Sequence, residues 1–347
     1  VCGETVSNVG MRFKRSTHPR SSLEVGYAKN PMVFDMNEFV PGQRLRGVRK
    51  LNLEYGSDMN LLAQRLNFEL LADFGLDVPR VNHAEVYING EYVGVFNHIE
   101  RIDASYAKYH WGENDGQLYK HAYCGTFYDK GSDPSGYTQD PRCYTPKPSD
   151  SVTDFSDLIH VIDVLNNTAA ADFATEFAKV WDVEEWIPST AALQVLAYSD
   201  SPNANGNNFY TYYPLGGGKT RFALWDLDAG FFRDGAPCGS GKDSITYSLF
   251  QLAYCFDKLP LFDRMIAVPE WRQQFLQRAK AFLEGPFESA GYASRVDQLV
   301  LGLDDALTRD PNRRGTGEEW LQTIDTMKSR QTARAQNVAG QLAAEGL

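Results

Sequence analysis

The chain has 347 residues, 43% of them apolar and 13% aromatic, enough for a sizeable core. Its formal charge of −11 argues against a general nucleic-acid binder, because phosphate backbones call for clustered Lys and Arg. No apolar run of about eighteen residues offers a transmembrane helix, and with Val1 first and no signal-peptide pattern a trimmed domain is expected.

In chain order, residues 9–53 read as strands and turns. Val9–Lys14 alternates in the strand manner, Pro31–Asp35 is a short apolar run, and Val48–Leu53 alternates again. A helix follows, capped by Asp58, with Leu62, Leu66, Leu70 and Phe74 at helical spacing and Gly75 at its end. Ala84–Phe96 is two strands around Asn89-Gly90, a pair that tolerates the positive φ of a type I′ turn. Residues 104–150 are loop-rich and polar. Helices are expected over 155–165, 170–181 and 183–198, strands over 209–213 and 220–225 around Leu215-Gly-Gly-Gly218, and a long helix near 318–344. The fold class expected is α+β in two lobes, the order seen in protein kinases. A small β-rich lobe with one helix covers 1–110, a loop-rich insertion 111–150, and a larger, mainly helical lobe 151–347.

Five cysteines occur and none forms a CxxC pair, which disfavours a cysteine zinc site. Cys124 and Cys143 flank one loop, Cys238 and Cys255 another. Two disulfides are expected, with Cys2 left over. The six histidines show neither HxxxH nor HExxH, so a zinc hydrolase is disfavoured. Leu215–Lys219 lacks the spacing of a phosphate loop and reads as a hairpin turn.

The chemistry-bearing stretch is Tyr198–Asn208, an Asp and several Asn after a helix. It is followed by a strand pair and then Ala223-Leu-Trp-Asp226-Leu-Asp228-Ala-Gly230. Kinases use that order: a catalytic-loop Asp, an Asn shortly after, a hairpin, then an Asp near a Gly. Asp226 and Asp228 are read as two apart on a strand, on one side of it, where they would repel without a cation between them. Magnesium favours such hard oxygens. The plain alternative for the Asn- and Asp-rich loop is an ordinary polar turn.

Across nearly its whole length the chain resembles the spore coat protein H (CotH) kinase family. The resemblance lies in Val9–Lys14, Lys29–Asp35, Val40–Gln43, Leu45–Leu53, Tyr87–Gly94, Ile99–Asp103, Gln117–Lys120, Asp154–Ile159, Asn208–Tyr212 and Trp225–Asp228, in that order. It implies an atypical secreted kinase that passes the γ-phosphate of ATP, with Mg2+ or Mn2+, to Ser/Thr-rich extracellular or spore-surface proteins. Carried over by position, Asp200 is the catalytic Asp and Asn208 a metal ligand, with Asn205 closer to strict kinase spacing. Asp226 or Asp228 is the metal-binding Asp ahead of the activation segment, and two magnesium ions could use both. The nucleotide-binding candidates are Arg12, Lys14, Lys50, Glu69 and Glu100, with Lys29 a further cation. Glu69 lies in the helix that would hold a kinase's regulatory glutamate, and Glu100 follows the hairpin near an adenine-binding hinge.

Two departures stand out: Val33 where relatives carry Lys, and Arg15 where they carry Gly. A degenerate kinase-fold surface protein is therefore the alternative function. A calcium-binding or carbohydrate-associated module is the reading that sets the resemblance aside.

Overall fold

Met32 and Phe34 lie two apart, as do Leu51 and Leu53, and a strand pairing that sets Met32 against Leu53 and Phe34 against Leu51 places all four on one face of a sheet. The computed structural model describes residues 3–14, 29–148, 153–231, 243–251 and 259–347 and shows this pairing. The protein is α+β, with two antiparallel sheets. It separates into two units: 1–69 with 79–101 and 294–325, and 70–78 with 102–293 and 326–347.

The first unit is built on a five-stranded sheet, ordered β1-β2-β3-β5-β4. Its strands are β1 (Gly10–Phe13), β2 (Met32–Asp35), β3 (Lys50–Glu54), β4 (Val81–Ile88) and β5 (Glu91–Ile99). Met32, Leu53 and Phe96 centre its buried face, with Phe34, Tyr55, Ala84, Val86 and Val93 against them. The β4–β5 turn carries Asn89 at φ 53° and Gly90 at φ 85°, as a type I′ hairpin requires.

Helix α1 (Asp58–Asp73) buries Leu62, Leu66 and Leu70 as its spacing predicts. Its cap differs from expectation. Asn60 N–H donates to Ser57 Oγ (3.3 Å) and Ser57 N–H to Asn60 Oδ1 (3.3 Å), a reciprocal cap one residue earlier. Asp58 instead accepts from Arg313 Nε at 2.8 Å. Gly75, at φ 86°, follows the helix end.

Lys29 and Asp310 pair inside this unit with 1% and 7% of their surface exposed. Lys29 Nζ also donates to the Val95 carbonyl at 3.0 Å, and Asp310 Oδ2 accepts from Val95 N–H at 3.1 Å. Gly94, at φ 130°, lies so close to both side chains that a Cβ there would collide with them. Burial lowers the Lys29 pKa, against the opposing pull of Asp310.

The second unit holds a four-stranded sheet ordered β7-β6-β8-β9: β6 (Gln117–His121), β7 (Thr145–Lys147), β8 (Phe209–Tyr213) and β9 (Arg221–Leu224). The segment 104–150 is thus more structured than its polar composition suggests. It holds α2 (Ala104–His110), β6, the short α3 (Ser135–Thr138) and β7. Tyr119, Tyr137 and Tyr144 are each at most 1% exposed and supply the apolar mass the loop residues lack.

Helices α4 (Ser156–Asn167), α5 (Phe173–Val180) and α6 (Val183–Val195) follow as expected within a few residues. Then come α7 (Pro260–Ala267), α8 (Pro269–Glu284), α9 (Ser289–Thr308) and α10 (Gly317–Ala344). The chain passes between the units within α1, α9 and α10.

Cys124 and Cys143 form the expected disulfide. Cys2, Cys238 and Cys255 lie outside the described residues. None of the described helices is long and apolar enough to cross a membrane.

Candidate active site

The site is assembled by two chain reversals in the second unit. The first ends α6. Ala197 sits in the left-handed region at φ 51°, Ala197 N–H donates to the Gln194 carbonyl (3.1 Å) and Tyr198 N–H to the Leu193 carbonyl (3.0 Å). This is a Schellman stop, with alanine where glycine is usual. It releases the chain into the loop that carries Asp200.

The buried Arg334 of α10 holds the same helix end. It donates to the carbonyls of Gln194 (2.7 Å), Val195 (2.9 Å), Ile245 (3.0 Å) and Tyr247 (2.6 Å). Two of these are carbonyls of the last turn of α6, beyond the reach of the regular helical ladder.

The Asp200 carboxylate is enclosed by amides. Asn205 Nδ2 and Asn207 Nδ2 donate to its Oδ1 at 2.6 and 2.8 Å, and Asn208 Nδ2 donates to its Oδ2 at 3.0 Å. Asn208 Nδ2 also reaches the Asp200 backbone carbonyl at 3.0 Å. Three neutral donors orient the carboxylate without neutralising its charge, which an arginine or lysine partner would do.

Asn207 Oδ1 in turn accepts from Tyr123 N–H (3.1 Å), and Gly125 N–H donates to the Gly206 carbonyl (3.0 Å). The segment stapled by Cys124–Cys143 therefore braces the Asp200 loop. Inside that loop, Ser201 Oγ, both amide atoms of Asn203 and Asn205 Oδ1 are buried without a hydrogen-bond partner.

The second reversal follows β9. The register pairs Phe209 with Leu224, and Trp225 N–H donates to the Asn208 carbonyl at 2.9 Å, so Asn208 and Asp226 leave the end of one strand pair together. Both are left-handed, at φ 60° and 55°, a conformation that Asn and Asp tolerate better than most residues.

Asp226 and Asp228 therefore do not alternate on a strand, contrary to expectation: β9 stops at Leu224, and residues 225–229 are irregular. The tie between them is Tyr198. Its hydroxyl donates to the Asp226 carbonyl and accepts from Ala229 N–H at 3.3 Å. Burial pushes the phenol well above its ordinary pKa, and the negative charges of Asp228, Asp226 and Asp200 push it further. The Tyr198 hydroxyl thus lies within the field of all three carboxylates and bonds the backbone of the segment that carries two of them. Trp225 (7% exposed) and Phe231 (0%) flank the turn, and the two carboxylates are half-buried.

The donor set fits a divalent cation of the magnesium type, which prefers carboxylate and amide oxygens and retains waters or phosphate oxygens for the rest of its shell. Among the described residues, the grouping of three Cys, His, Asp or Glu ligand atoms within 4.8 Å is Cys124, Asp140 and Cys143. Two of those are joined in the disulfide, so this grouping is not a metal site.

The candidates of the first unit stand differently. Lys14, Arg12, Val33, Asn52, Asp35 and Lys50 fall on one sheet face by register. Lys14 pairs with Glu54, and Lys50 with Asp35 at 2.7 Å. Arg12 is exposed beside Val33, in a depression of about 200 Å3 also lined by Asp35, Glu38, Phe39 and Lys50. Val33, at 3% exposure, thus sits between two ion pairs.

Glu69 takes Arg65 (2.8 Å) and Arg295 (3.4 Å) rather than a lysine. Glu100 accepts from the Arg80 backbone N–H (3.1 Å), Nε (3.1 Å) and an η nitrogen (2.6 Å). Sequence reasoning missed Tyr198 and Arg334. The place of Tyr198 two residues before Asp200 was the only signal for it, and Arg334 had none, lying on a helix more than a hundred residues away.

The family model of the CotH kinase protein matches residues 10–338, nearly the whole chain. The chain belongs to the CotH kinase family. No curated protein matches it significantly. Among solved structures, a chain of the Shewanella oneidensis MR-1 HipA–HipB toxin–antitoxin complex with operator DNA is similar at 11% identity and a TM-score of 0.39. The alignment covers 85% of this CotH-family chain and 59% of that one. The likeness is too slight to carry an argument about fold or function.

Proposed function

We propose that this CotH-family chain is a metal-dependent phosphotransferase of kinase-like, two-lobed design, passing the γ-phosphate of ATP to hydroxyl side chains of proteins. The observation that carries this reading is the Asp200 carboxylate, held by three amides, with the segment of Asp226 and Asp228 tied to the same loop through the Asn208 carbonyl and the Tyr198 hydroxyl. Asp200 is the group that orients, and accepts a proton from, the acceptor hydroxyl. Asn208, Asp226 and Asp228 are the residues that would hold Mg2+ or Mn2+, whose charge offsets that building on the phosphates. Extracellular, Ser/Thr-rich protein acceptors are proposed on the family's account, and the Cys124–Cys143 disulfide suits an oxidising compartment.

Purified protein with labelled ATP and Mg2+ or Mn2+ should label itself or a Ser-rich acceptor, and Asp228→Ala should abolish labelling. No transfer by the wild type under any of these conditions would count against the reading.

A specific observation favours a second reading. Lys14, Lys50 and Lys29 each already hold a carboxylate, and Val33 offers no charge. Such a protein binds nucleotide and metal without turnover. Calorimetry showing ATP–Mg2+ binding without transfer, together with turnover gained by Val33→Lys, would select it.

A further inference from the structure

Two loops carry the candidate carboxylates, and one hydroxyl joins them. We infer that Tyr198 is a positioning residue that sets the spacing of Asp200 against Asp226 and Asp228; the inference rests on the divalent-metal reading of that site.

The Schellman stop at Ala197 fixes the start of the Asp200 loop, and Tyr198 is its next residue. The ring is fully buried, so its direction is set by packing. At its far end, the O–H donates to the Asp226 carbonyl, and the oxygen accepts from Ala229 N–H at 3.3 Å. These two bonds span residues 226–229, the turn in which Asp226 adopts its left-handed φ of 55°. The same segment is secured at its end by Phe231, whose N–H donates to the Leu196 carbonyl (2.9 Å) and whose carbonyl accepts from Arg330 Nε (2.7 Å).

Tyr198 is thus a side chain that ties the middle of the Asp226–Asp228 segment to the root of the Asp200 loop. Phenylalanine would keep the ring packing and leave the Asp226 carbonyl and the Ala229 N–H without this partner. A left-handed Asp226 then loses the contact that favours it over extended backbone. The two ligand carboxylates move relative to Asp200, and divalent affinity falls.

The test compares Mn2+ binding, by electron paramagnetic resonance, to the full chain as wild type, Tyr198→Phe and Tyr292→Phe. Tyr292 is an equally buried tyrosine whose hydroxyl has no partner, so it controls for loss of a buried hydroxyl. Tyr198→Phe should weaken Mn2+ about tenfold, the effect of losing one to two hydrogen bonds, with its thermal midpoint close to that of Tyr292→Phe. Tyr292→Phe should bind as wild type.

Unchanged affinity in Tyr198→Phe, with the wild type binding, would overturn the positioning role alone. Absence of binding in the wild type would overturn the metal reading and this inference with it. If Tyr198→Phe does not fold, amide exchange in the wild type decides. A protected Ala229 N–H supports the tie, and exchange at the rate of an exposed amide overturns it.

Discussion

The two units handle charge in opposite ways. In the second, the Asp200 carboxylate is surrounded by the neutral amides of Asn205, Asn207 and Asn208, so its charge stays available. In the first, most of the charges singled out from the sequence are matched by near neighbours, Arg12 standing exposed: Lys14 by Glu54, Lys50 by Asp35, Lys29 by Asp310, Glu69 by Arg65 and Arg295, Glu100 by Arg80. A charge held by dipoles can still act on a ligand. A charge held by a counter-ion has most of its field spent inside the protein. The difference leaves the amide-held carboxylate free to act and ties up the ion-paired charges, and each side of it can be broken separately.

The largest effect is expected at Asp200. Asp200→Asn should lower phosphate transfer by about 10^2- to 10^4-fold, the range for removal of a proton acceptor, while the far-ultraviolet dichroism stays that of the wild type. A transfer rate within a few-fold of wild type would remove Asp200 from the chemistry.

Lys29 comes next and should move stability. Lys29→Met leaves Asp310 buried beside the Val95 N–H without its cation and should destabilise by about 3–5 kcal/mol in urea unfolding. Lys29→Met with Asp310→Leu should recover much of that loss. A double variant as unstable as the single one would argue against a purely pairwise role.

Opening the Cys124–Cys143 bridge, which spans a sequence separation of 19, should cost about 3 kcal/mol through the freed chain entropy of the unfolded state. Because Tyr123 and Gly125 hold the Asp200 loop, the same change should weaken Mn2+ binding. Unchanged affinity would uncouple the staple from the site.

Glu185 offers a pH test within the second unit. Burial, with Asp77 and Asp182 nearby, pushes its carboxyl up to about 8. The folded state therefore retains a proton that the unfolded state has released. Stability should fall as pH rises from the ordinary carboxylate range through about 8 and level off above it. Glu185→Gln should flatten that slope, and an unaltered slope would place the proton elsewhere.

The smallest effect belongs to Glu69. Glu69→Gln removes partly exposed ion pairs to Arg65 and Arg295 and should change stability by about 1 kcal/mol or less, with transfer within about twofold of wild type. A large loss of transfer would return Glu69 to the nucleotide site and erase the contrast between the units.

Much of this was legible in the sequence because it depends on local rules. Asn89-Gly90 dictates its hairpin whatever surrounds it, and Leu62, Leu66 and Leu70 declare a helical face through spacing alone. The Asp200–Asn208 loop and the Asp226–Asp228 segment could be singled out because residue type and order are visible without a fold. Their geometry was misjudged at one point: Asp226 was expected on a strand and is left-handed. Strand propensity is a weak guide where a distant hydroxyl, that of Tyr198, can hold a turn.

By itself, the order of residues determined the α+β class and the main strands and helices, since each follows from contacts close along the chain, and it offered Cys124 and Cys143 as the flanks of one loop. Only the tertiary structure decided which charges are already matched, that Ser57 rather than Asp58 caps α1, and that Tyr198 and Arg334 hold the site from positions with no motif. The reason is physical. A charge or hydroxyl is defined functionally by what lies within a few ångströms of it, and residues as far apart as 29 and 310, or 194 and 334, become neighbours only once the chain has folded.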